Sequence, residues 1–266
     1  MAIIPRFYMD AVVSIGVNIA STNVMWVGTG FFVIRKTDAN NARPFLITNR
    51  HVINNQQIVY IRMKEKDTNN LKTVSVPLVE GNKSVVIMHN NPEIDIAVIP
   101  LNGEYIVNNN FEFPAFDIDE HAHTSVELRE NDVDEGTLIH MLGFPLELVN
   151  NNSTRPICRL GCIARIDEEQ ICEKNNILVD IQNFPGSSGS PVISRPELVS
   201  IEGTKSLTKA VLIGIAHSYI PYKEKLINSQ TGEVVDIRSE NSGIALVHPT
   251  EYIRDIINAI QPKATL

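Results

Sequence analysis

The 266-residue chain can form one large domain or two small ones, with ample material for a core. Its 43% hydrophobic and 20% charged residues are those of an ordinary folded protein, and a net charge of -8 argues against generic nucleic-acid binding, which draws on clustered Lys and Arg. The first residues hold no apolar run behind a basic start, and no later run approaches membrane-spanning length, so neither a signal peptide nor a membrane partner is expected.

Residues 1–10 read as an arm or a short helical turn. Strand-like text begins at Ala11 and continues through Val12–Ile19, Met25–Val27 and, after Gly28-Thr29-Gly30, through Phe31–Ile34. A polar turn from Lys36 to Arg43 leads to Pro44–Thr48, and further short strands are predicted at 57–63, 72–78, 84–88 and 94–101. Short strands bounded by Asn, Gly, Asp or Pro, with no amphipathic helix between them, suggest a closed barrel or a sandwich. Residues 103–136 are acidic and carry Phe111, Phe113 and Phe116; they read as an interdomain connector that its phenylalanines can pack, its acidic stretch a solvated loop, in which His121 and His123 are surface histidines. A second strand set follows at 137–143, 157–166, 177–182, 190–194, 210–216 and 243–247, with a long polar loop from Ser218 to Glu240. Pro249–Ile260 is a helix, with Thr250 able to cap it and Ile253, Ile256, Ile257 and Ile260 on one face. The predicted units are residues 1–102, the connector 103–136, residues 137–247, and a helix and tail over 248–266.

Cys158 and Cys162 lie four apart on a predicted strand, so their Cα atoms are roughly 13 Å apart, too far for a disulfide. Three reduced cysteines, with Cys172, fit a cytoplasmic location. Their spacing matches no metal-ligand pattern, and neither metal nor cofactor is expected.

The most informative stretch is Asp180-Ile-Gln-Asn-Phe-Pro-Gly-Ser-Ser-Gly-Ser-Pro-Val-Ile193. It joins two β-branched runs through a turn rich in Gly and Ser, which suits a nucleophile beside preorganised backbone N–H donors. Two other segments give it meaning. His51 ends an apolar strand in Ile47-Thr48-Asn49-Arg50-His51-Val52. Asp95 lies in the apolar run Glu93-Ile-Asp-Ile-Ala-Val-Ile-Pro-Leu101, where a lone carboxylate is costly unless paired. Glu93 is a competing acid outside that run.

These three segments, in the order His, Asp, Ser, resemble those of chymotrypsin-like (trypsin-like) serine endopeptidases, closest to bacterial trypsin-like and Deg-type domains without a PDZ module. The resemblance spans roughly residues 11–260, and departs in the histidine segment by Asn49 for the usual Ala. Gly28-Thr29-Gly30-Phe31, Leu142-Gly143-Phe144-Pro145, Gly214-Ile215-Ala216 and Gly243-Ile244-Ala245 also look like family strands and turns. The resemblance implies an all-β fold of two antiparallel six-stranded barrels with a C-terminal helix. It implies His51 as general base, Asp95 as its orienting acid and Ser188 as nucleophile, with Ser187 the alternative. It places the oxyanion hole at the N–H groups of Gly186 and Ser188, and substrate binding at Gln182, Asn183, Ala216, His217 and Ser218.

Two departures shape the expected activity. Ser187 stands where self-activating trypsins carry Asp, so no N-terminal cleavage is expected to switch the enzyme on. Gln182 stands where trypsins hold the Asp that binds basic side chains, so a basic residue before the scissile bond is disfavoured. His217 is displaced by one from the Gly-Ile-His of glutamyl endopeptidases, and one residue on a strand turns a side chain to the other face. A protein or peptide substrate and a regulatory protein partner are the expected partners, with no nucleic acid. A catalytically silent protease-like binding module is the alternative function; an RNA-binding processing protease is a third reading, opposed by the acidic balance.

Overall fold

The computed structural model describes residues 4–20, 23–38, 41–68, 70–149, 153–197 and 203–260. The first three residues and the tail beyond residue 260 lie outside the described residues. After a short helix α1 (Arg6–Asp10), the N-terminal half runs through β1 (Val12–Ala20), β2 (Asn23–Lys36), β3 (Ala42–Thr48), β4 (Ile58–Lys64) and β5 (Leu71–Pro77). It continues with the two-residue strands β6 (Val79–Glu80), β7 (Lys83–Ser84) and β8 (Ile87–Met88), then β9 (Ala97–Pro100). The unbroken apolar run in β2 has a physical reason: both its faces are covered. Phe31 and Val33 enter a core shared with the C-terminal half, and Phe32 enters the core of the N-terminal sheet.

The connector segment is packed by its phenylalanines, Phe111 and Phe116 being buried, and where a solvated acidic loop was expected it is largely structured. It holds α2 (Gly103–Asn108), β10 (Phe116–Asp117) and α3 (Ser125–Glu130). Asn102 caps α2 through its side chain, and Thr124 with Glu127 forms a capping box on α3. Phe116, Ile118, Ala122 and Leu128 are fully buried. His121 and His123 are half-buried rather than surface residues; His121 Nδ1 accepts the Asp117 N–H at 2.8 Å.

The N-terminal sheet has eight strands, ordered β5-β4-β1-β2-β3-β9-β8, with β10 pairing parallel to β2. Its two edges, β5 and β8, are not paired to each other, so the predicted six-stranded barrel is here an open sheet around one core. The C-terminal half matches expectation more closely. β11 (Leu138–Gly143), β12 (Ile157–Arg165), β13 (Ile177–Asp180), β14 (Pro191–Ser194), β15 (Leu212–Ile227) and β16 (Val234–Pro249) close a barrel in the order β11-β12-β13-β16-β15-β14. A short helix, α4 (Glu168–Cys172), interrupts the β12–β13 connection.

The long polar loop expected from Ser218 to Glu240 is a second correction. β15 and β16 stay paired far past the barrel, to Ile227 opposite Val234, as a two-stranded ribbon. The final helix, α5 (Thr250–Ile260), buries Ile253, Ile256 and Ile257 in the shared core. Thr250 does not cap it; its hydroxyl donates to the His123 carbonyl. Two arginines tie α5 down. Buried Arg35 donates to Asp119 and, at 2.6 Å, to Asn258 Oδ1. Arg254 donates to Glu127 and to the carbonyls of Ile118 and Ala122. A buried guanidinium is tolerated because its donors find acceptors. No helix among the described residues is long and apolar enough to cross a membrane.

Candidate active site

His51 follows the end of β3, and Asp95 precedes β9, the strand paired to β3 in register Thr48↔Ala97. That pairing brings the two residues together. His51 Nδ1 bonds to Asp95 Oδ2, and the His51 main-chain N–H donates to Asp95 Oδ1 at 3.1 Å. Asn49, the departure from the family pattern, donates its side-chain amide to the Asp95 carbonyl at 2.7 Å. Glu93 contacts Asn175 instead. Burial of the Asp95 carboxyl works against ionisation, but the hydrogen bonds and charge of His51 outweigh it and hold the group below the usual carboxylate range. The His51 ring remains half-exposed, beside a cavity of about 430 Å³ whose walls include Ile53, Leu78, Val86 and Met88.

Two histidines from the C-terminal barrel, His248 buried and His217 partly so, back this acid. His248 Nε2 accepts the Asp95 N–H at 3.0 Å, so its proton sits on Nδ1, which donates to the Asn175 carbonyl at 2.7 Å. The His217 ring stacks on His248 with centroids 3.9 Å apart and planes 5° apart. Its Nε2 bonds to Asn176 Oδ1 at 2.6 Å. Burial, and then the neighbouring His248, push His217 down to about 3; burial also lowers His248. Both rings are therefore neutral near pH 7. The His217 ring thus lies against the back of the acid through His248.

The Gly- and Ser-rich loop that carries Ser188 lies between β13 and β14. Ser188 is partly exposed, whereas Ser187 is fully buried with an unpartnered hydroxyl, so only Ser188 Oγ is open to an incoming group. Ser188 Oγ donates to the His217 carbonyl at 3.3 Å, and no hydrogen bond joins it to the His51 ring among the described residues. The N–H groups of Gly186 and Ser188 likewise have no protein acceptor among the described residues. Both glycines of the loop have left-handed backbones, Gly186 at φ 92° and Gly189 at φ 88°. A Cβ at Gly189 would meet the Thr29 carbonyl at 1.9 Å, so no other residue fits there.

Thr29, which the sequence offered only as part of a strand pattern, holds this loop. Its hydroxyl donates to the Gly186 carbonyl at 2.8 Å and accepts the Phe144 N–H at 3.0 Å. Its main-chain N–H donates to the Ser188 carbonyl at 2.9 Å, and its own carbonyl accepts from Thr48 Oγ1 at 2.7 Å. Only the tripeptide Gly-Thr-Gly before the histidine segment pointed to it. Nothing comparable marked His248, whose partners lie far off in the chain.

The remaining candidate residues divide. Asn183 is buried; its amide donates to the Ser218 carbonyl at 2.9 Å, and Asn241 donates to the Asn183 carbonyl at 2.6 Å. Gln182 is exposed. Ala216 turns its methyl into the barrel core, and its backbone pairs with Ser190 and Gly189. Arg159 stacks over the Phe184 ring at 5.0 Å, putting a cation beside this region.

No curated protein sequence matches the chain. Among solved structures it is similar to the MamO protease domain from Magnetospirillum magneticum, at 15% identity and a TM-score of 0.47, over 94% of this chain and 96% of that one. The profile of the trypsin-like peptidase domain matches residues 28–199, from the Gly-Thr-Gly of β2 past the nucleophile loop, and the chain therefore belongs to the trypsin-like peptidase domain family.

Proposed function

We propose that the chain is a serine endopeptidase acting through His51, Asp95 and Ser188. The observation that carries this reading is an oriented His51–Asp95 pair joined through the stacked His248 and His217 rings to the partly exposed Ser188 hydroxyl, in a loop with two unpaired N–H groups on Gly186 and Ser188. Ser188 Oγ attacks the carbonyl carbon of the scissile peptide bond as His51 Nε2 takes its proton. The oxyanion develops against the two N–H groups, each typically contributing about 2.7–4 kcal/mol. The C–N bond breaks, the amine leaves with the proton from His51, and water repeats the sequence to release the acid and restore Ser188. Asp95 holds the His51 tautomer and stabilises the imidazolium. Neither metal nor cofactor has a role in this sequence.

Uncharged Gln182 and Asn183, with Arg159 nearby, disfavour a basic side chain before the scissile bond. Ser187 offers no charge for a new N-terminus, and the hole's donors are already unpaired, so activity does not await N-terminal cleavage. Restraint then falls to a protein partner. Three free thiols are compatible with a reducing, cytoplasmic setting.

One observation favours the alternative, a silent binding module: the Ser188 hydroxyl faces the His217 carbonyl rather than His51. Such bonds commonly tighten only when substrate is bound. A fluorophosphonate separates the two readings. Stoichiometric labelling of wild type, lost in Ser188→Ala along with a drop in kcat on the order of 10⁶, is expected; absence of labelling on the folded protein assigns the silent module.

A further inference from the structure

Past Ala216, β15 leaves the barrel through register shifts at Ala216/Ser218 and Tyr219/Pro221 and continues as one strand to Ile227. Up to that residue its outer edge is occupied: Pro191 to Ile193 pair with it, and Gly189 and Ser190 bond to Ala216. The Ser218 carbonyl still accepts from Asn183; from Tyr219 to Ile227 the same strand pairs only with β16 among the described residues. One edge is therefore open, and it starts beside Ser188, whose hydroxyl already touches the His217 carbonyl.

The ribbon's side chains are sorted by charge. Directly opposed residues of an antiparallel pair share a face. One face holds Tyr222 with Glu240, Glu224 with Arg238, and Leu226 with Asp236, three carboxylates against one guanidinium. The other holds Lys223 with Ser239 and Lys225 with Ile237, and no acid. Neither lysine makes an ion pair among the described residues. Large apolar side chains are also left open, with Ile227 60% and Val235 69% exposed. A lone two-stranded ribbon is only marginally stable in water, and exposed apolar surface of this kind marks a contact surface. The connection at its tip, Asn228-Ser-Gln-Thr-Gly-Glu233, is polar, which opposes insertion into a lipid surface.

We propose that the open edge of β15 from Ile220 to Ile227 binds an extended peptide as an added strand, the stretch of substrate N-terminal to the cleaved residue, and favours acidic side chains at the alternate positions that face Lys223 and Lys225. This deepens the peptidase reading and rests on it for the identity of the peptide. Eight strand residues give a track of roughly 26 Å, well beyond the residues next to the scissile bond. Main-chain pairing supplies the affinity and the charged faces supply the selection.

Two measurements on the full chain test it. Fluorescence anisotropy on Ser188→Ala uses two labelled ten-residue peptides, one alternating Thr and Glu, one alternating Thr and Lys. The Glu peptide is expected to bind, and to weaken at least tenfold when Lys223→Glu and Lys225→Glu are added; the Lys peptide is not expected to weaken. Lys223→Gln with Lys225→Gln gives a milder loss and guards against misfolding, which circular dichroism also checks. On wild type, an alanine phosphonate carrying eight preceding Thr/Glu residues is expected to label Ser188 at least tenfold faster than one carrying two. Equal labelling rates together with no peptide binding overturn the ribbon proposal and leave the peptidase reading standing. Failure of both phosphonates to label sinks the peptidase reading instead, and the anisotropy result then decides the ribbon alone. A dimer in sedimentation velocity that dissolves on the lysine substitutions, or capture by phosphatidylserine vesicles without peptide binding, overturns it in favour of a second copy or a lipid surface.

Discussion

On the N-terminal side of the cleft, His51 and Asp95 already touch, and four groups fix the acid: the His51 ring, the His51 N–H, the Asn49 amide and the His248 ring. On the C-terminal side, Ser188 is positioned through its backbone. Two left-handed glycines and the bonds to Thr29 shape its loop, while its hydroxyl points to a carbonyl. The His51–Asp95 pair is thus held by bonds already formed, and Ser188, the nucleophile of the proposed function, is set by main-chain geometry, with its hydroxyl on the His217 carbonyl. The first arrangement should tolerate small changes of backbone, and the second should not.

The sharpest test of that contrast is Gly189→Ala. The new methyl collides with the Thr29 carbonyl and demands an unfavourable backbone, which moves the adjacent Ser188 N–H. A fall in kcat of about 10²–10³, the scale of a lost oxyanion donor, is expected in steady-state kinetics on the folded variant. Near-normal turnover would mean the loop is not held as described.

Thr29→Val keeps the shape and removes the hydroxyl. It strands the Phe144 N–H and the Gly186 carbonyl in a buried site, at about 1–3 kcal/mol each. A lower urea midpoint with an unchanged slope is expected, and a fall in kcat that exceeds any change in KM. A variant as stable as wild type breaks the assignment of Thr29 as the tie between the halves.

The smallest effect belongs to the acid side, through pH. His217 is held neutral, its value pushed down to about 3 from an unfolded value near 6.5. Below pH 6.5 the unfolded chain binds a proton that the folded chain refuses, so stability falls as pH drops towards 3. The slope is about 1.4 kcal/mol per pH unit. Between pH 6.5 and 4.5, wild type should therefore lose about 2–3 kcal/mol more than His217→Asn in urea unfolding. Parallel losses would show that the ring is not desolvated.

The sequence was most legible where chemistry is local. His51, Asp95 and Ser188 each sit in a short segment whose neighbours repeat a known pattern, and strand pairing or loop geometry does the rest. What escaped depended on distant partners. Thr29 meets Gly186 across 157 positions, and His248 meets Asp95 across 153. The β15–β16 ribbon escaped for another reason: a strand with no core face has no apolar alternation to betray it. The helices α2 and α3 are too short for a periodic signal, and their acidic residues suggested solvent where caps were being formed. The open N-terminal sheet could not be told from a closed barrel, because closure is a matter of edge pairing and not of strand content.

Those long-range bonds also carry a consequence for synthesis. The N-terminal half leaves the ribosome first, with β9 and Asp95 in place, yet the His248 ring that accepts the Asp95 N–H is 153 residues further on. Thr29 likewise waits for Gly186. Each half lacks a partner that only the other supplies, so a nascent or truncated N-terminal half holds His51 and Asp95 without the groups that complete their surroundings. The order of synthesis thus delays the shaping of both sides until β16 and α5 have docked.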